Sequence, residues 1–300
     1  MIDNFNFFGW VDDQKSVESI MKELPFPVFG DVWAPIKDTG KGKITLLHEI
    51  VEKVAGRFPI RRQTIGDCVS MGAACAVDVI KAVDIHVNKD FEEWVAETAT
   101  EDIYAGSRVQ IGKGRISGDG SIGAWAARYV NEYGALARQK YGNIDLSVYD
   151  GNRARQWGSP GRGTPSDLIT FSRNHPVQTV SLVKNYEEAR DLIANGYCVT
   201  VASNFGFTST RDKDGFARAS GQWAHQMCFV SVDDAFSRPG LLCNNSWGAS
   251  WISGPKRHNQ PDGSFWVDAD TVNKMFAQGD SWAFSGYKGF EPRELDTRII

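Results

Sequence analysis

Apolar positions recur at helical spacing through the first half of the chain and gather into short, nearly continuous runs in the second. Residues 43–55, KITLLHEIVEKVA, have the period of an amphipathic helix. From 68 to 87 the sequence CVSMGAACAVDVIKAVDIHV crowds apolar residues onto most faces and holds no proline. That predicts a buried helix, with Asp67 as its N-cap. AWAARYVNEYGAL predicts another, stopped by Gly134, and NYEEARDLIANG at 185–196 a third that ends in glycine. Five β-like runs follow: YCVTVASN, HQMCFVSVDD, GLLCNNSW, GSFWVDA and DSWAFSGY. Between the helical segments lie a Gly-rich loop at 107–123 and a stretch at 141–180 that reads mostly as loop. Residues 1–42 read as irregular, aromatic at first and then punctuated by proline and glycine. The pattern is α+β: an N-terminal extension over 1–55, then a body over 56–300 that is helical to about residue 170 and β-rich beyond it.

Composition changes this picture little. The 300 residues carry 42% hydrophobic and 23% charged side chains, ample for a core. A net charge of −4 gives no reason to expect nucleic acid or a membrane surface as partner. There is no apolar run of transmembrane length, and the N-terminus lacks the basic start and apolar core of a secretory signal. The expected location is a reducing cytoplasm, or a virus particle if the chain belongs to one. The Gly-rich GKGRIS does not have the spacing of a phosphate loop.

Five cysteines, odd in number, widely spaced and without a CxxC pair, argue against a zinc cage or a disulfide framework. Cys75, Cys198, Cys228 and Cys243 sit in apolar surroundings and read as small buried hydrophobes. Cys68 differs, because Gly66-Asp67 and a polar lead-in precede it and a helix follows. A thiol at a helix start lies over unpaired N–H groups and the positive end of the dipole, which favours the thiolate nucleophile. Its activation calls for an imidazole and a third group to orient the ring. Of the five histidines, His48 and His86 fall in helical segments, His175 precedes proline in a loop and His258 lies in a charged stretch. His225 opens an apolar β-like run, and Asn245, twenty residues on, ends the next, so a hairpin can bring the two together. Structural roles for these three residues stay open on spacing alone.

The words around them resemble the papain-like cysteine peptidases, in a divergent bacterial or bacteriophage branch. Asn245-Ser246-Trp247-Gly248-Ala249-Ser250-Trp251 is similar to the family's Asn-Ser-Trp-Gly-x-x-Trp; Gly221-Gln222-Trp223-Ala224-His225 is similar to its histidine strand; Gln63 with Gly66-Asp67-Cys68 resembles its approach to the nucleophile. More weakly, Ser117-Gly118-Asp119-Gly120-Ser121 is similar to the loop whose backbone pairs with an extended substrate. The resemblance spans about residues 56–290. It implies a two-lobed fold with the nucleophile helix in one lobe, the His and Asn in a barrel-like antiparallel lobe, and a cleft between. It implies Cys68, His225, Asn245 and the oxyanion donor Gln63 as catalytic, and Gly66, Asp67, Gly118, Gly120 and Trp247 around the substrate. It implies a peptide or protein substrate, hydrolysed through a thioester, with no metal or cofactor.

This sequence departs from the family at four places. Ile65 stands where a disulfide cysteine is usual, Val69 where an aromatic follows the nucleophile, Asp67 where a small residue precedes it, and Gln63 is one residue nearer to Cys68. The segment before residue 56 is shorter than the family's usual helical propeptide. Two other functions fit the same words: an amidase cutting peptidoglycan cross-bridges, and a virion assembly protein that keeps the fold and binds other virion proteins. The aromatics Phe5, Phe7, Phe8 and Trp10 either pack on the body or form an arm that docks on a partner.

Overall fold

The computed structural model describes residues 7–88, 93–173 and 177–295. Residues 7–11 are extended and lead into α1 (Gln14–Met21), capped by Asp13. A chain of turns then reaches β1 (Ile44–Leu46), which runs directly into α2 (Leu47–Ala55). The helical half comprises α3 (Cys68–Asn88), α4 (Glu101–Gly106) and α5 (Gly123–Tyr133). A two-stranded ribbon, β2 (Lys140–Tyr141) and β3 (Ile144–Asp145), precedes α6 (Gly151–Trp157) and α7 (Ser166–Ser172). The β-rich half holds β4 (Thr179–Leu182), α8 (Tyr186–Ala194), β5 (Cys198–Arg211), β6 (Ala217–Asp233), β7 (Gly240–Asn244), β8 (Ser264–Asp268), α9 (Ala269–Phe276) and β9 (Trp282–Ser285).

Among the described residues the strands other than the β2-β3 ribbon form one antiparallel sheet in the order β4-β9-β5-β6-β7-β8, with β1 pairing on β6. Apolar side chains from both halves build one continuous core. Helix α3 is its axis. From Cys68 to Ile80 every residue is buried, because small residues let the helix lie against strand β6. At Gly72 a Cβ would stand 3.1 Å from the Met227 carbonyl oxygen. The thiols Cys75, Cys198, Cys228 and Cys243 are free and buried, as apolar surroundings predict.

Several elements differ from the sequence pattern. Residues 44–46 are strand, since their partner Ser231–Asp233 offers a free ladder edge that periodicity does not register. The first residues of the Gly-rich loop, Ser107–Ile111, continue α4 as a π-turn, while the Arg108 side chain hydrogen-bonds the carbonyls of Gly158, Ile116 and Gly120. The 141–180 stretch contains α6, started by an Asp150 cap, and α7; both are short, one to two turns that tertiary contacts hold. Residues 1–42 contain α1. Asp67 does not act as the expected side-chain cap of α3. Its Oδ2 takes the Tyr149 hydroxyl at 2.8 Å, and Oδ1 takes no hydrogen bond.

Candidate active site

Cys68 is the first residue of α3, reached through a tight turn in which the Asp67 amide donates to the Ile65 carbonyl. The approach is pinned to the loop after β7. The Gln63 amide donates to the Ser246 carbonyl at 2.9 Å, and the Gly248 amide to the Arg61 carbonyl at 2.9 Å. The Gln63 side chain joins the same link, its Oε1 accepting the Ser246 hydroxyl at 2.6 Å. His225 lies on β6 opposite Ser203, and the amide of the next residue, Gln226, points at Cys68 Sγ at 3.4 Å. So β6 carries the imidazole past the start of α3. The Gln226 side chain secures that crossing by donating to the Val69 carbonyl.

Asn245 follows β7 and accepts on Oδ1 from His225 Nε2 at 2.8 Å and from the Ser246 amide at 2.7 Å. Two donors on one atom identify it as the oxygen, so the ring carries its proton on Nε2 and leaves the Nδ1 lone pair free. Nδ1 is buried and has no hydrogen-bond partner. Trp247 packs over the imidazole with ring centroids 4.9 Å apart, and Trp223 and Trp251 close around Trp247 at 4.5 and 5.3 Å. This apolar cover keeps water off the His225–Asn245 bond.

Burial sets the charge state. It pushes the Cys68 thiol up to about 12, although the amides of Gln226, Gly9 and Val69 act against that rise, and it draws His225 down to about 4. Both groups are therefore neutral near pH 7 in this arrangement. Burial also raises the Asp67 carboxyl to about 8, against the hydroxyl of Tyr149. The Asp67 carboxyl in turn adds to the rise at Cys68, because a negative charge there opposes a neighbouring thiolate.

The source of the burial is the chain itself. Residues 7–11 lie between the two halves. On one side, the Ser121 amide donates to the Gly9 carbonyl at 2.8 Å and the Val11 amide to the Ser121 carbonyl at 2.9 Å. On the other, the amides of Gly9 and Trp10 both donate to the carbonyl of Ala224, next to His225, at 3.0 Å. The Phe7 carbonyl accepts from Gln63 Nε2 at 2.9 Å, and the Phe8 ring sits 6.2 Å from that of Trp247. Gly9 passes so close to Gly66 that a Cβ on it would stand 2.0 Å from the Gly66 carbonyl oxygen. Neither Cys68 nor His225 has exposed surface.

No family model matches the chain, and no curated protein is similar to it in sequence. Solved structures are similar in fold. Xylellain, a cysteine protease from Xylella fastidiosa, matches with TM-score 0.53 and 18% identity over 94% of this chain and 92% of that one. A proCathepsin B from Trypanosoma congolense matches with TM-score 0.55 and 14% identity over 93% and 85%. A digestive procathepsin L2 from Tenebrio molitor larval midgut matches with TM-score 0.54 and 10% identity over 95% and 80%. The chain has the papain-like fold. Within it, the structure gathers Cys68, His225, Asn245, Gln63, Gly66 and Trp247 into one cleft beside residues 7–11.

The other sequence candidates sit at the edge of this papain-like cleft or outside it. Gly120 meets the segment, since a Cβ there would lie 2.8 Å from the Gly9 carbonyl oxygen, but its own amide and carbonyl are taken by Tyr104 and Arg108. Ser121 makes the ladder bonds instead. Gly118 is exposed with nothing near it, and Asp67 points into the body. His48 is satisfied in the core by Ser231 and the His258 carbonyl, and His258 pairs with Asp233. His175 and Phe5 lie outside the described residues. In the sequence Ser121 and Ser246 figure only within longer words, and Gln226 has no role of its own. Gln226 carried a signal, because the residue after His225 on a strand faces the opposite side, toward the nucleophile helix.

Proposed function

We propose that the chain is a cysteine-type peptidase that hydrolyses amide bonds of a peptide or protein through a thioester. The observation that carries the reading is a carbonyl oxygen of the chain itself, that of Phe7, accepting from Gln63 Nε2 in the cleft that holds Cys68 and the Asn245-oriented His225. A bound substrate carbonyl would meet the same donor. Cys68 Sγ would attack its carbon while the free Nδ1 of His225 takes the thiol proton, forming a C–S bond and an oxyanion held by Gln63 and the Cys68 amide. Collapse would break the C–N bond, with His225 protonating the departing amine. Water, deprotonated by the same ring, would then cleave the thioester and restore the thiol.

Residues 7–11 have to leave the cleft first, since they cover both reacting groups. Their departure admits water and substrate and removes the desolvation that holds Cys68 and His225 neutral. The test is hydrolysis of a fluorogenic peptide panel that also contains peptidoglycan cross-bridge amides, by the wild-type chain and by Cys68→Ala. Turnover that falls by at least about 10³-fold in Cys68→Ala supports the reading. Turnover that survives, or is absent from a wild-type chain whose Cys68 has been made accessible, sinks it. Cleavage of cross-bridge amides alone would assign the same chemistry to an amidase.

A further inference from the structure

Trp10 is the residue of the covering segment that enters the body most deeply. Its backbone hydrogen-bonds Ala224 and bridges to Ser121, as a strand crossing the cleft would. Its side chain is buried, and its indole Nε1 donates to Asp280 Oδ2 at 2.8 Å. Asp280 has no exposed surface and is fixed from behind. The amides of Gly123 and Ala124, at the start of α5, donate to Oδ2 and Oδ1 at 2.7 Å, and Trp282 Nε1 donates to Oδ1 at 2.7 Å. The packing at Gly123 is tight, since a Cβ there would stand 2.6 Å from Gln226 Oε1 and 2.8 Å from Asp280 Oδ1. Three of the four donors on Asp280 thus belong to the body, and the fourth comes from the occupant of the cleft.

We infer that the space filled by Trp10 is a side-chain-selecting pocket, in which Asp280 selects peptide substrates carrying a tryptophan-sized side chain with an N–H donor at its edge. The inference rests on the proposed peptidase reading for its setting. When Trp10 withdraws, Asp280 Oδ2 is left one donor short in a buried place, and a substrate side chain that fills the volume without supplying an N–H leaves it so. Sites built around a buried hydrogen-bonding group reject analogues that lack the matching group. A phenylalanine or leucine would therefore be admitted by shape and refused by chemistry.

Because Asp280 also caps α5, the test varies the peptide and not Asp280. The full chain carries Gly9→Ala and Trp10→Ala, which expel the segment and vacate the pocket; a second version adds Cys68→Ala. Binding of fluorescein-labelled Phe-Phe-Gly-Trp-Val to the second version is followed by anisotropy. It is compared with peptides in which tryptophan is replaced by phenylalanine, or by benzothienylalanine, an isostere with sulfur in place of the indole N–H. Hydrolysis by the first version is scanned with fluorogenic peptides bearing the same three residues at each position in turn. The expected result is tryptophan favoured over benzothienylalanine by at least about 10-fold in binding, and at one position in kcat/KM. Equal binding of the isosteres, or no binding of any peptide, overturns the inference. Selective binding without hydrolysis would leave the pocket standing and remove the peptidase reading. Hydrolysis without selectivity would do the reverse.

Discussion

The carboxyl of Asp67 sits one residue before the thiol, with Oδ2 on Tyr149 and Oδ1 unpartnered. Burial raises it to about 8, so the folded chain keeps a proton there that the unfolded chain gives up above about pH 4. The stability linked to this group is present in acid and drains as pH rises toward 8. Asp67→Asn is neutral at every pH, so its stability relative to wild type should grow between pH 5 and pH 8, with a slope approaching about 1.4 kcal/mol per pH unit. Urea midpoints at several pH values measure this, and parallel curves for the two chains would refute it. His225, drawn down to about 4, has the opposite linkage: it is held neutral by the fold, and stability falls as pH drops from about 6.5 toward 4. At this scale part of the candidate site was legible in the sequence. Cys68, His225, Asn245 and Gln63 stood out by type and neighbour words. The partner of Asp67 did not, because Tyr149 lies 82 residues away in a stretch without periodicity.

Residues 7–11 behave as an element of the cleft, a single strand bonded to a loop on one side and to β6 on the other. Its closest approach is glycine to glycine, which explains why residue 9 has no side chain. Gly9→Ala should therefore lift the segment, since the added methyl would overlap the Gly66 carbonyl. The readout is iodoacetamide labelling of Cys68, followed by peptide mass spectrometry. In the wild-type chain labelling should be slow and still rising at pH 9, because the covered thiol ionises only near 12. In Gly9→Ala labelling at pH 7 should rise at least about 10-fold and level off at lower pH, as an exposed thiol beside an imidazole does. Identical profiles would mean that residues 7–11 are not the cover. The aromatic run Phe7, Phe8 and Trp10 is conspicuous in the sequence, which leaves open a packed segment or an arm for a partner. Only the fold shows that its docking site is the cleft of the same chain, because that cleft exists only once the two halves have met.

Across the whole molecule, one buried ion pair ties the approach to Cys68 into the helical half. Arg61 Nη2 donates to Asp78 Oδ2 at 2.5 Å, while Asp78 Oδ1 accepts from the Thr98 amide and hydroxyl. Asp78→Ala would strand a buried guanidinium and two donors, so it should cost about 3–5 kcal/mol in denaturant unfolding. A loss below about 1 kcal/mol would show that the pair has no such role. The sequence by itself determined the local facts: a buried helix beginning at Cys68, the strands holding His225 and leading to Asn245, and the words that resemble a papain-like site. These follow from periodicity and neighbour chemistry, which act over a few residues. Tertiary structure alone decided the protonation of Cys68 and His225, the partner of Asp67, the pairing of 44–46 with β6, and the filling of the cleft by residues 7–11. Each depends on which distant groups meet and on how much water they exclude, and neither is written in the spacing of residues along the chain.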